Sequence, residues 1–153
     1  MATILITGAN GQLGNELRVV SKKYISNTFI FTDIDTLDLT NAEQTAGYIK
    51  TSRPDWIINC AAYNLVDKAE SESDSAMEIN CNAVKNITDV ITDSECKLIH
   101  ISTDYIFDGR SNVPYNESVL PHPLSAYGRS KLAGVSAGLP IGLGKPFPSA
   151  AGQ

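Results

Sequence analysis

The chain has 153 residues, 42% hydrophobic and 19% charged, with a formal net charge of −5. That length suits one domain with a sizeable core, and the acidic balance argues against a nucleic-acid or anionic-membrane surface. No apolar run approaches the roughly 20 residues of a membrane-spanning helix, so the expected setting is cytoplasmic, with no membrane and no nucleic-acid partner.

The opening MATILITGANG lacks the basic segment of a signal peptide and runs straight into a motif. Residues 3–7, TILIT, are a continuous apolar run that stops at Gly8, which predicts a strand buried on both faces. Gly8, Gly11 and Gly14 follow in G-x-x-G-x-x-G spacing, and Leu13, Leu17 and Val20 recur at helical spacing. Between a strand and a helix such glycines have a physical meaning beyond that of a plain tight turn. Gly8 allows the sharp exit from the strand. Gly11 lets a pyrophosphate approach the backbone, and Gly14 lets the helix pack closely on the strand. The helix N-terminus then offers free N–H groups to the phosphates.

Residues 28–33, TFIFTD, predict a second strand ending in Asp33, about 20 residues past the glycines. A carboxylate there accepts hydrogen bonds from an adenosine ribose and repels a 2′-phosphate, which favours NADH over NADPH; the competing reading is a solvated strand end. Asp38 and Leu39 in DLT (38–40) are placed against an adenine or in a helix-entry turn. Thr40 with Glu43 forms a capping box for a helix over 41–51. Pro54 ends that helix, and 55–62, DWIINCAA, is a third strand with Trp56 in the core. Its Ala61 and Ala62 leave room for a dinucleotide at the carboxyl edge, where open α/β sheets bind ligands.

Asp67, Lys68, Glu70 and Glu72 read as a solvated helix start. Ala76, Ile79, Ala83, Ile87 and Val90 make one apolar stripe on a helix over 74–93, with Asn80 turned inward to bridge backbone groups. Residues 97–102, KLIHIS, are a fourth strand in which His100 packs against a helix; His122 falls in an exposed loop. Cys60, Cys81 and Cys96 have no metal-ligand or CxxC spacing and read as reduced, buried thiols. The alternation implies an α/β fold, a Rossmann-like doubly wound parallel sheet with helices on both faces.

The fourth strand runs into ISTDYIFDG, so Ser102, Thr103 and Asp104 leave the sheet on the same edge as the glycine loop. Tyr127 and Lys131 are i, i+4 on a predicted helix and share a face. A phenol with a pKa near 10 is a poor acid–base group at neutral pH, and a nearby ammonium favours the phenolate. Lys131 can also bond a cofactor ribose, and the Thr103 hydroxyl can hold a substrate carbonyl. Alone the Y-x-x-x-K spacing is weak; behind S-T-D and the glycine loop it is specific.

ILITGANGQLGNEL, RPDWIINCAAYNLVDKAE, ISTDYIFDG and YGRSKLAG together resemble the extended short-chain dehydrogenase/reductases, and within them the dTDP-4-dehydrorhamnose reductase family, over residues 4–134. The resemblance implies NADH- or NADPH-dependent reduction of the 4-keto group of a dTDP-linked keto-deoxysugar, dTDP-6-deoxy-L-lyxo-4-hexulose, to dTDP-L-rhamnose. It implies Tyr127 as proton donor, Lys131 as its tuning and ribose-binding partner, and Thr103 as the hydroxyl partner, with Asp104 beside the substrate. It further implies Gly11, Gln12, Leu13, Asp38, Leu39, Ala62, Tyr63, Asn64 and Ser102 as the residues around the cofactor; Asn64 stands where the family usually has Thr. Members are often homodimers, and some bind magnesium (Mg2+) through acidic residues. Glu16 matches one such position, but no metal ligand is assigned.

The resemblance stops after Gly134. Residues 133–153 hold five glycines, three prolines and one charged residue. The expectation is a Rossmann-like part over 1–132 followed by an irregular Gly/Pro-rich tail, with the substrate domain missing and the helix interrupted at Gly134. A reading-frame shift near codon 135 would explain the break, and poor solubility and little activity would follow. Two other readings of the fold remain: a non-catalytic module, as in the regulatory β subunit of methionine adenosyltransferase, and a nucleotide-sugar epimerase or dehydratase.

Overall fold

Four apolar runs pair as parallel strands in the computed structural model, which describes residues 1–116 and 118–138. They are β1 (Thr3–Thr7), β2 (Thr28–Phe31), β3 (Trp56–Asn59) and β4 (Lys97–His100), in the order β2-β1-β3-β4. The chain steps outward from β1 to β2, then crosses back over β1 to β3. That reversal opens a crevice between the carboxyl ends of β1 and β3. The register Thr7↔Asn59 sets the residues after each strand, Gly8 and Cys60, side by side at its floor.

Strand alternation decides which side chains enter the core. Leu5 and Ile57 are fully buried against Ile49 of α2 (Ala42–Ser52) and Ile87 of α4 (Ala83–Ile91). On the opposite face α1 (Gln12–Ser21) covers β2, with the Arg18 guanidinium 4.4 Å from the Phe31 ring centre. Among the described residues β4 lies at one end of the sheet. Leu98 packs into the core, and Ile99, on the other face, stays 42% exposed. No helix among the described residues is long and apolar enough to cross a membrane.

Four expectations change. Trp56 is not a core residue but 36% exposed. Ile57 takes the inward position, so alternation turns Trp56 to the other face, where the Lys97 ammonium lies 5.0 Å from its ring. The cap of α2 is Asn41 rather than Thr40. Asn41 Oδ1 accepts the Gln44 N–H at 3.0 Å, whereas the Thr40 hydroxyl is drawn back to Asp38 Oδ1 at 2.7 Å.

The single helix over 74–93 is interrupted. α3 (Ser73–Met77) passes through a π-helical turn, Glu78–Asn82, into α4. The extra residue of a π turn rotates the inward face, so Asn80 is fully buried at a position between Ala76 and Ala83. Lastly, α5 (Ala126–Gly138) runs through Gly134 instead of breaking there. A Cβ on Gly134 would collide with the Asn80 carbonyl oxygen. Glycine is what lets α5 lie on the π turn, and that contact outweighs the ~1 kcal/mol of helix propensity a glycine forfeits. The expected irregular stretch from 139 onward lies outside the described residues.

Candidate active site

Gly8 leaves β1 with φ +64°, the left-handed region that favours glycine, and a Cβ there would stand 2.5 Å from the Ala61 nitrogen. The turn therefore rests directly on the backbone that leaves β3. Gly14 allows an equally close approach without a positive φ: a Cβ would lie 2.5 Å from the Ala9 Cα, so the first turn of α1 packs on the loop itself. Gly11 is the N-cap of α1 with no side-chain cap, and the first turn holds no acidic residue. The leading N–H groups of α1 therefore face the crevice with the positive end of the helix dipole behind them.

One cleft of about 370 Å³ joins this loop to the far wall of the site. Gly8, Gly11, Gln12, Leu13, Gly14 and Glu16 line one side; Cys60, Ala62 and Asn64 form the floor; Ile101, Ser102, Tyr127 and Lys131 close the other side. More than a hundred residues separate Gly14 from Tyr127 in sequence. Burial pushes the Cys60 thiol up, so it remains a protonated wall group.

The far wall is built by α5. Glu70 Oε1 accepts the Ala126 N–H at 2.7 Å, and Ser125 Oγ accepts the Gly128 N–H at 3.0 Å, so two of the free N–H groups at the helix start are capped by side chains. Gly128 allows α5 to press on the short 3-10 turn Asp104–Ile106, because a Cβ would strike the Tyr105 carbonyl. The Tyr105 ring then meets Tyr127 edge-on, with centres 5.6 Å apart. The Tyr127 phenol stands 3.5 Å from Asn64 Oδ1. Lys131, 2% exposed, gives its ammonium to the Ile101 carbonyl at 2.6 Å. Burial pushes its pKa down to about 8.

Other expected site residues stand apart from the cleft. Asp33 uses both carboxylate oxygens locally, accepting the Asn10 N–H at 2.7 Å and the Ile34 N–H at 2.8 Å, so it braces the glycine loop. Asp38 accepts the backbone and side chain of Thr40, and the Leu39 side chain is buried in the main core. The Ala61 backbone lies under Gly8. The Tyr63 side chain turns into a second core with Ala69, Ala76 and Ala126. Its phenol donates to Glu72 Oε2 at 2.5 Å, and that bond pushes its pKa up to about 12. The Thr103 hydroxyl accepts the Tyr105 N–H at 3.3 Å and donates to Asp104 Oδ1 at 3.2 Å.

Glu70 and Glu72, expected only as solvated charges, thus hold α5 and Tyr63. Asn80 bridges as expected: Oδ1 accepts the Tyr63 N–H at 2.9 Å, while Nδ2 donates to the Tyr63 carbonyl and to Ser130 Oγ. Sequence reasoning missed Cys60 and Ile101 in the lining, and Asn59 beneath it. The missed signal was adjacency, since Cys60 immediately precedes the expected Ala61 and Ile101 immediately precedes Ser102. Among the described residues no three His, Cys, Asp or Glu side chains gather as a metal site.

Comparison with known proteins places these features in context. The family model described as the RmlD substrate binding domain matches residues 1–138. The dTDP-4-dehydrorhamnose reductase of Aggregatibacter actinomycetemcomitans is 39% identical over 137 residues, covering 88% of this chain and 46% of that protein. Its Escherichia coli (strain K12) namesake is 38% identical over 138 residues, again covering 88% and 46%. The solved dTDP-4-dehydrorhamnose reductase of Bacillus anthracis, in complex with NADP, superposes with a TM-score of 0.86 at 39% identity, covering 90% of this chain and 49% of that one. The chain spans about half the length of the curated relatives it matches.

Proposed function

The chain belongs to the family of the RmlD substrate binding domain, and on that premise we propose that it carries the dinucleotide-binding and proton-donating part of an NAD(P)H-dependent reductase acting on the 4-keto group of a dTDP-linked deoxysugar. The observation that carries the reading is the single cleft lined both by Gly8, Gly11 and Gly14 and by Tyr127 and Lys131.

The residues fit a dinucleotide. The loop packs so tightly that side chains at Gly8 and Gly14 would strike the Ala61 and Ala9 backbone, which fixes its shape, and the uncapped N-terminus of α1 suits a pyrophosphate. A reduced nicotinamide, when bound, supplies the hydride that reaches the substrate's carbonyl carbon. The rest belongs to this chain's side chains. Tyr127 gives its phenolic proton to the carbonyl oxygen, so the ketone becomes an alcohol. Lys131, held by the Ile101 carbonyl in the wall of the same cleft, supplies positive charge as the phenol becomes phenolate. Thr103, which follows Ser102 of the lining, takes the part of hydroxyl partner that the family resemblance implies only if its O–H leaves Asp104 and turns into the cleft. Asp33 braces the loop under the adenosine side.

Fluorescence titration of the protein with NADH and NADPH, repeated for Tyr127→Phe and with the keto-sugar present, tests the proposal. Dinucleotide binding that survives in Tyr127→Phe is the expected result, with any substrate-dependent oxidation confined to the unsubstituted protein. Absence of binding to either dinucleotide would refute it, as would oxidation that Tyr127→Phe retains in full.

A further inference from the structure

The Asn59 side chain is 1% exposed beneath the cleft and joins three strands. Its Oδ1 accepts the Thr7 hydroxyl at 2.7 Å and the Ala61 backbone N–H at 3.1 Å. Its Nδ2 lies 3.2 Å from Nδ1 of His100 on β4. A backbone N–H only donates, so the Asn59 atom facing Ala61 is the oxygen and the other arm is the NH2. An NH2 also only donates. Nδ1 of His100 is therefore a bare acceptor, and the ring proton sits on Nε2. That Nε2 is buried beside Gly134 with no hydrogen-bond partner among the described residues. A half-buried imidazole with one nitrogen orphaned has its use at the other.

We propose that His100 is a positioning residue: its bare Nδ1 anchors the NH2 arm of Asn59 while the Ala61 N–H anchors the oxygen, and together they hold the amide in the one orientation that clamps Thr7 and Ala61, the two segments flanking Gly8. If the amide turned over, its NH2 would face the Ala61 N–H, donor against donor. The loop has no slack at that point, because Gly8 already touches the Ala61 backbone. Gly11 and the N-terminus of α1 would shift with it. His100 also directly precedes Ile101, whose carbonyl holds Lys131. One side chain thus ties the glycine-loop side of the cleft to the lysine side, a consequence for dinucleotide affinity that rests on the function proposed above.

The test compares the full chain with His100→Asn and His100→Leu. Asparagine Oδ1 replaces the Nδ1 acceptor; leucine removes it. Nitrogen-15 spectra of the imidazole should show a bare Nδ1 and a protonated Nε2. Hydrogen exchange of the Ala61 amide, measured against the Leu5 amide in mid-strand, should quicken about tenfold in His100→Leu, the scale of one lost hydrogen bond, and match the parent in His100→Asn. Affinity for NADH or NADPH should follow the same order. A protonated Nδ1 would overturn the proposal, as would an asparagine variant as fast as the leucine one, or a leucine variant that speeds Leu5 and Ala61 equally. If the parent protein binds neither dinucleotide, the reductase reading fails while the exchange order still decides the role of His100.

Discussion

Adding one methyl group at Gly134 should destabilise the protein, although helix propensity says the reverse. Glycine to alanine inside an exposed helix stabilises by about 1 kcal/mol. At Gly134 the new Cβ would overlap the Asn80 carbonyl oxygen, and both partners are backbone, so neither can rotate away. Forced overpacking of this kind costs about 1–3 kcal/mol. Any retreat of α5 also stretches the bond from the Asn80 amide to Ser130 Oγ (2.9 Å), worth about 1 kcal/mol. Gly134→Ala is therefore expected to lose about 2 kcal/mol net. The control is Gly47→Ala in α2, where a Cβ meets nothing within 4 Å and a gain of up to about 1 kcal/mol is expected. At about 4 °C per kcal/mol for a chain of this size, the two variants should differ in Tm by about 10 °C. Thermal and urea unfolding followed by circular dichroism reads the difference. Equal, stabilising shifts in both variants would refute the packing argument and restore Gly134 to the role of a helix breaker.

The remaining predictions concern protons and a cap. Burial holds Lys131 near pKa 8, whereas an unfolded lysine titrates near 10.4. Between those values the unfolded chain binds the extra proton, so stability should rise with pH from about 8 to about 10.4; urea midpoints across that window should lose the rise in Lys131→Met. Burial, aided by the Lys131 charge, pushes His100 down to about 4, against about 6.5 unfolded. Below about 6.5 the unfolded state takes a proton that the folded state refuses, so stability should fall toward pH 4 by up to about 2–3 kcal/mol; His100→Asn should flatten that slope. Asn41→Ala should cost about 1 kcal/mol in the same assay and Thr40→Ala less, since Asn41 provides the cap.

Much of the scaffold was legible because its causes are local. TILIT predicted β1 with its observed bounds, since an unbroken apolar run ended by glycine has few other fates. The three glycines and the Tyr127–Lys131 spacing each need only one turn of chain to be recognised, and the cleft brings them together. What escaped were judgements that depend on the neighbour across the gap. Glu70 looked solvated until α5 arrived 56 residues later to use it as a cap. Asp33 looked like a free strand-end carboxylate, but each of its oxygens accepts a backbone N–H, from Asn10 and from Ile34.

Gly134 looked like a helix breaker because propensity is a property of an isolated helix, whereas the Asn80 carbonyl that requires a glycine belongs to another element. Asn59 and His100, 41 positions apart, meet only because β3 and β4 pair in one register. The sequence by itself determined which segments become strands and helices, and which chemistry sits at their ends, because backbone propensity and apolar periodicity act within a few residues. Tertiary structure decided which polar groups stay free for a ligand and which are consumed in bracing the cleft, because burial and hydrogen-bond partnership depend on what packs alongside.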